Sequence, residues 1–336
     1  MPIIVCGAEG EWALYNNTLS TVGADDKRRG SVQLTAGETM FKAFSGGNDV
    51  WVHTRFAGST IGNNSLGTLQ NILQIRNSSN EIIAGIRCRN VANDGLFRVA
   101  FYSTNTNGGG RVDNSEIFVD NDFVFADYDI RLVRSTVTDP NDTMTVYFYR
   151  NAQLRLTVSN TDPTGWDAPA QILLSFASTD ADYDDVFVQD VIVTNDVPTV
   201  GMELAVLVPS AVGNYSDFNN DYTNLDDVGY DASTVISTST VDDRESWVFG
   251  TPAFDLGDKV IYGVVLDTIA QTDLATIIAD FQPFLRISAT DYPTANLGAN
   301  NIAPDSFVSI YTINPATAAP WTETDLAGLE AGIRAV

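Results

Sequence analysis

The chain has 336 residues with 43 acidic and 18 basic side chains, a formal charge of −25, 44% hydrophobic residues and 10% aromatic residues. That apolar content excludes a disordered tail, and the length exceeds the roughly 250 residues at which a single core stops growing, so two domains are expected. The charge disfavours nucleic acid and anionic membrane surfaces as partners, because either would need Lys and Arg to replace released counterions. The acids are 34 Asp against 9 Glu and the bases 15 Arg against 3 Lys, with Asn, Thr, Ser and Gly abundant. These residue types favour turns, caps and strands over helix interiors, so the composition predicts an all-β protein.

In chain order, Met1 to Cys6 has no basic n-region and no apolar h-region, and nowhere do about 18 apolar residues run together. The expectation is a protein without a signal peptide or a membrane span. Short alternating runs then predict strands at 12–15, 31–35, 39–44, 49–57, 70–77, 81–90, 96–103, 115–119, 128–137, 143–150, 153–159, 171–177 and 186–194. Turns separate them at Asn77 to Asn80, Thr106 to Gly110 and Arg150 to Gln153. Regularly spaced short strands argue for a sandwich of two antiparallel sheets.

At Asn195-Asp196-Val197-Pro198 the pattern breaks and basic residues almost vanish: 1–196 carries 24 acidic and 14 basic groups, 197–336 carries 19 and 4. The domains are therefore set at 1–196 and 197–336. The acid excess reads as solubility in a salty medium or as a docking face for a cationic partner. The second domain predicts strands near 202–208, 232–238, 245–249, 259–267, 284–289 and 307–313, with a short helix over 273–281. Thr322-Glu323-Thr324-Asp325 offers a cap and first-turn acids, and Leu326, Leu329 and Ile333 follow at helical spacing with Arg334 near the C-terminal dipole. A short amphipathic helix is expected there. Cys6 and Cys88 match no metal-ligand spacing and are expected as buried free thiols; a bridge would need oxidising surroundings and close Cα atoms.

Two resemblances add to this. Phe123-Val124-Phe125, Tyr128 to Leu132, Met144 to Asn151 and Val188 to Val193 follow one another in an order that resembles laminin G-like, concanavalin A-like jelly rolls, over about residues 10–195. Asn314 to Ile333, with Pro320-Trp321-Thr322 and Leu329-Glu330-Ala331-Gly332-Ile333, resembles the ending of tailed-bacteriophage virion proteins; Tyr230 to Ser237, Trp247 to Phe249 and Gly263 to Val265 also fit. The second resemblance implies a particle component made in the host cytoplasm and assembled there. Pro320, Trp321 and Thr322 would form a structural anchor, with a plug of about 200 Å² supplied by the indole.

Candidate sites follow from chemistry. Concanavalin-like glycanases need two facing carboxylates, commonly in a Glu-x-Asp-x-x-Glu strand; the sequence has no such triplet, and its nearest acid run, Asp180 to Asp185, reads as a loop. His53 alternates onto one face with Trp51 and Arg55, opposite Val50, Val52 and Phe56, and is expected on the strand surface. No nucleophile-elbow pattern accompanies it. Arg55, Arg76, Arg87, Arg89, Arg98, Arg131 and Arg134 all fall in predicted strands. Trp51, Arg55, Arg87, Arg89 and Arg98 converging on one sheet would suit an anionic glycan, since guanidinium forks grip carboxylate or sulfate and stack on rings. The plainer alternative pairs each arginine with a neighbouring Asp across strands.

Asp217, Asn219 and Asp221 place oxygen ligands at alternate positions as an EF-hand loop does, but Tyr222 and Val228 replace its Gly and bidentate Glu. Calcium is the ion this loop would take, and an Asx-rich turn is the alternative; the resemblance to laminin G-like sandwiches, some of which hold calcium at a loop edge, implies Asp120, Asp122 and Asp142 as a second set. The expectation is thus an all-β, two-sandwich, non-enzymatic virion component of a tail, baseplate, spike or fibre. It would associate with itself and with other virion proteins, and would contact host surface polysaccharide. A glycan-binding attachment module, an enzyme degrading host surface polysaccharide, which the missing Glu pair argues against, and a capsid decoration protein are the rival readings.

Overall fold

Alternation with a period of two decides the architecture. The computed structural model describes residues 3–7, 18–20, 31–34, 38–58, 70–91, 96–106, 110–113, 118–121, 124–135, 142–162, 166–176, 186–219, 222–224, 235–250, 259–272, 278–299 and 305–336. The predicted strand at 12–15 and the acid run 180–185 lie outside them. The chain divides into two compact units, the first running to Leu204 and the second beginning at Ala205.

In the first unit, β1 (Ile3–Gly7), β2 (Thr18–Ser20), β3 (Ser31–Leu34), β5 (Asp49–Gly58), β11 (Ala126–Arg134), β12 (Asp142–Arg150), β13 (Gln153–Asp162) and β15 (Val186–Asn195) form one sheet. Its order is β13-β12-β11-β5-β15-β3-β2, with β1 also on β15. A second sheet takes β4 (Glu38–Ala43), β6 (Gln70–Asn77), β7 (Ile82–Val91), β8 (Leu96–Thr104), β9 (Arg111–Asp113), β10 (Phe118–Asn121) and β14 (Pro169–Phe176). Its order is β10-β8-β7-β6-β14-β4, with β9 on β8. Pairing is antiparallel, and the chain passes between sheets at β3–β4–β5 and β13–β14–β15, as a concanavalin A-like jelly roll does.

One face of each sheet makes the core. Val52, Ile130 and Phe148 of the first sheet share a cluster with Ile75, Ile86 and Phe101 of the second. Phe101 stacks on Phe148 across the sandwich with centroids 4.7 Å apart. Cys88 is a free thiol in this core, and burial pushes its pKa far up, so it is chemically quiet. The side chain of Cys6 is outside the described residues.

The strand expected at 202–208 is not formed. After β15, Asp196 turns the chain at φ +60° and Thr194 Oγ1 donates to the Val197 carbonyl. Residues 197–204 then run as a strap: Thr199 Oγ1 donates to Asp129 Oδ1 at 2.7 Å, and Leu204 N–H to Asp190 Oδ2 at 3.3 Å. Those bonds tie the strap to the first unit, although sequence composition assigned it to the second domain.

The second unit pairs β16 (Pro209–Ser216), β17 (Arg244–Phe249), β22 (Glu330–Ala335), β19 (Phe281–Ile287) and β20 (Thr290–Pro293) in the order β16-β17-β22-β19-β20. A two-stranded sheet joins β18 (Val264–Ala270) to β21 (Asp305–Tyr311). Val264, Leu266 and Tyr311 of this pair pack with Leu285 and Ala331 of the larger sheet, so the unit is again layered β-structure.

The terminal amphipathic helix needs correction. α1 (Glu323–Leu326) is one turn, with the Thr322 N–H donating to Asp325 Oδ2 at 2.8 Å. Gly328 at φ +70° ends it, and Ile333 and Arg334 belong to β22. This strand lies between β17 and β19, and its backbone bonds to both neighbours replace those a helix would make. It also packs tightly: a Cβ on Gly332 would sit 2.3 Å from the Glu245 carbonyl oxygen and 2.4 Å from the Phe284 ring. Of the helix expected over 273–281, residues 273–277 lie outside the described ones, and Phe281 begins β19.

Candidate functional site

The strongest constellation lies on the outer face of the first sheet, made by the residues alternating with the core. Val50, Val52, Ile130, Val146 and Phe148 point inward, which sends Asp49, Trp51, His53, Asp129, Arg131, Tyr147 and Tyr149 outward. Register arranges them in rungs. Arg131 is flanked by Trp51 on β5 and Tyr147 on β12, and Asp129 by His53 and Tyr149.

Arg131 is gripped in a fork. Its Nε donates to Asp49 Oδ1 at 2.9 Å and its Nη2 to Asp49 Oδ2 at 2.6 Å. The guanidinium lies 5.1 Å from the Trp51 ring centroid and 5.5 Å from that of Tyr147, within cation–π range. Trp51 in turn leans on Tyr149 with centroids 5.6 Å apart. The hydrogen bond that Arg131 donates to Asp49 raises the pKa of Arg131 and keeps it charged. Burial raises the Tyr149 phenol, and the charge of Arg131 opposes that shift. Trp51 is only 5% exposed and acts as a floor, whereas the Arg131 side chain is 33% exposed and Tyr147 and Tyr149 are half-buried.

Beside this strip lies a sealed polar pair. His53 Nδ1 is 2.9 Å from Asp129 Oδ1, and both side chains are fully buried, as is Thr199. His53 is therefore not the strand-surface histidine that sequence alternation predicts; the parity is right, but the strap runs across that part of the face. Among the described residues, His53 Nε2 and Asp129 Oδ2 have no hydrogen-bond partner. Burial acts to lower the pKa of His53, but the hydrogen bond to Asp129 and the charges of Asp129, Asp190 and Asp127 outweigh it, for a net rise.

The five residues expected to converge do not all do so. Trp51 and Arg55 sit on the first sheet, with Arg55 Nη1 3.7 Å from Asp127. Arg87 is on β7 of the second sheet, on the far side of the core, where its Nε donates to Asn71 Oδ1 at 3.2 Å and its guanidinium lies 5.2 Å from the Tyr102 ring centroid. Arg89 and Arg98 oppose one another in register on β7 and β8, and their side chains are outside the described residues. Arg134 meets Asp142 at 3.5 Å. Cross-strand pairing with Asp, the plainer reading of these arginines, thus holds for Arg55, Arg131 and Arg134.

The calcium loop is not assembled among the described residues. Asp217 Oδ2 accepts the Arg244 N–H at 3.1 Å, Asn219 bridges Ser237, and Asp221 lies outside the described residues. No described group of His, Cys, Asp or Glu could hold a metal ion. Asp142 faces Arg134, the side chain of Asp120 is not described, and Asp122 lies outside the described residues. Trp321 is 3% exposed, and its Nε1 donates to the Tyr311 carbonyl at 2.7 Å; Pro320 before it and Thr322 after it are exposed.

Sequence reasoning missed Arg131, Asp49, Tyr147 and Tyr149 as a group. Alternation in Tyr128 to Leu132 and Met144 to Arg150 gives their face, but only register brings them together. A second network occupies the second unit. There Tyr215 donates to Asp291 at 2.9 Å and accepts from Arg244 at 3.2 Å and Arg286 at 3.0 Å.

Fold and site together define a two-sheet, concanavalin A-like β-sandwich carrying an arginine–aromatic strip. No family model matches the chain, and no curated protein matches it. Among solved structures, an endo-β-1,4-glucuronan lyase from the fungus Trichoderma reesei is similar over 57% of this chain and 94% of its own, at 12% identity and TM-score 0.35. The alginate lyase Aly36B is similar over 56% and 96%, at 7% identity and TM-score 0.39. A botulinum neurotoxin serotype D binding domain is similar over 93% and 74%, at 9% identity and TM-score 0.36. At these identities and TM-scores nothing is carried from those proteins to this chain. No helix among the described residues is long and apolar enough to cross a membrane.

Proposed function

We propose that the first unit is a glycan-binding module and that the chain works by binding and association rather than by breaking bonds. The observation that carries this reading is Arg131, forked by Asp49 and flanked by the rings of Trp51 and Tyr147. Sugars offer C–H faces that lie against aromatic rings and hydroxyls that donate and accept, and this strip supplies partners for both. His53 and Asp129, the pair best suited to acid–base work, are sealed from a polymer, which favours binding over catalysis. Glycan-array screening of the full chain followed by calorimetry tests this. Arg131→Ala and Tyr147→Ala should each weaken binding about tenfold, the order of one desolvated cation–π or stacking contact. A wild-type chain that binds no glycan overturns it.

The second reading keeps the chain as a structural component of a tailed-bacteriophage virion, in a tail, baseplate, spike or fibre or on the capsid, assembled in the host cytoplasm as a homo-oligomer. What favours it is the terminal motif, in which Trp321 is buried against Leu285, Leu326 and Leu329 as a plug while Pro320 stays exposed. Symmetric association is the general habit of such parts. Sedimentation of the purified protein should give an oligomer; a strict monomer with no affinity for particles refutes it.

A further inference from the structure

Resting on the glycan reading above, we infer that the strip takes a neutral, hydroxyl-rich sugar chain and not a uronate or sulfated one, and that this chain lies along β12 and β13. Three features argue for it. The first is local charge. Arg131 and Arg55 face Asp49 and Asp127, and His53 feels the carboxylates of Asp129, Asp190 and Asp127. Arg155, which shares the outward parity of Thr157 on β13, brings the tally to three arginines and one histidine against four carboxylates, so this side of the sheet carries no net positive charge. The whole chain carries −25, so a polyanion is repelled at distances beyond contact as well.

The second feature is donor geometry. The Nε and Nη2 edge of Arg131, which would fork an incoming carboxylate, is already taken by Asp49, whose side chain is 21% exposed. An anionic sugar would have to displace Asp49 or sit beside it. A vicinal diol sits beside Asp49 without like-charge repulsion, because one hydroxyl can accept from Nη1 while its neighbour donates to a remaining lone pair of Asp49.

The third feature is what continues the strip. Leu156 and Val158 of β13 pack on the core, so Thr157, Ser159 and Thr161 point outward beside Tyr147, Thr145 and Thr143 of β12 in register. Thr145 Oγ1 and Ser159 Oγ lie 2.9 Å apart. Six neutral hydroxyl side chains therefore extend from Arg131 toward the sheet edge with no charge among them, matching a neutral polyol in donors and acceptors.

Calorimetry on the full chain with a neutral galactose tetrasaccharide and with its galacturonate counterpart, each at about 20 and 500 mM salt, reads the sugar class. The inference expects the neutral oligomer to bind with little salt dependence. It also expects Arg131→Ala, and separately the exposed double change Thr157→Val with Ser159→Ala, to weaken that binding at least tenfold. Binding of the galacturonate alone, lost at high salt and abolished by Arg131→Ala, overturns the inference and leaves the glycan reading standing. Neutral binding untouched by both variants overturns the placement on β12 and β13. Binding of neither oligomer, repeated across a full glycan array, removes the glycan reading itself.

Discussion

Replacing Asp129 by alanine should cost the first unit about 3–5 kcal/mol, because it strips a buried ion pair of one partner and leaves the other enclosed. Asp129 Oδ1 is the acceptor for both the His53 ring and the Thr199 hydroxyl, and all three side chains are fully buried. The loss should show as a large fall in the denaturant midpoint, with Asp129→Asn milder because an amide oxygen can still accept from Thr199. The pair also gives a pH dependence of fixed sign. The folded pKa of His53 lies above its ordinary 6.5, so its contribution is fully present below pH 6.5 and is lost as pH rises through the folded value. His53 is the sole histidine, so one imidazole resonance follows the titration without ambiguity. Thermal melts of wild type and His53→Gln between about pH 6 and 9 should converge as pH rises. A stability difference that stays flat across that range would show that His53 titrates alike in the folded and unfolded chain, and one that grows with pH would show a ring held neutral in the fold.

The all-β class and most strand positions were legible because alternation is a local property. The runs at 49–57, 143–150 and 186–194 correspond to Asp49–Gly58, Asp142–Arg150 and Val186–Asn195, and the parity that put Val50 and Val52 inward was right. What was not legible depends on partners far along the chain. Asp49 and Arg131 are 82 residues apart, and nothing at either position announces the other. His53 is buried because residues near Thr199 cross its face, which no pattern around Val52 or Thr54 encodes. Charge misled in the same way: an arginine in a predicted strand looks like a free cation until its cross-strand Asp is known, and register supplied Asp127 for Arg55 and Asp49 for Arg131. The terminal segment is the sharpest case. Leu326, Leu329 and Ile333 fit a helical stripe, while Ala331, Ile333 and Ala335 fit a strand face equally well. Pairing of β22 with β17 and β19, remote in sequence, decided between them.

That segment carries the second large effect. Trp321→Ala should destabilise the second unit by about 3–5 kcal/mol, the range for removing a buried aromatic side chain and leaving a cavity. The indole is 3% exposed and packs with Leu285, Leu326, Leu329 and Ala331, so its loss opens space between the larger sheet and the chain leading into β22. It also releases the Tyr311 carbonyl, which accepts from Nε1 at 2.7 Å, and weakens the bridge between Trp321 and Ile261. Trp321→Phe keeps most of the packing and loses the hydrogen bond, so it should cost much less, about 1 kcal/mol from the bond plus a small packing loss. The comparison separates plug from tether. If Phe is as damaging as Ala, the bond to Tyr311 is the element that holds the terminus. Read by thermal denaturation of the full chain, Trp321→Ala should lower the midpoint clearly more than Trp321→Phe.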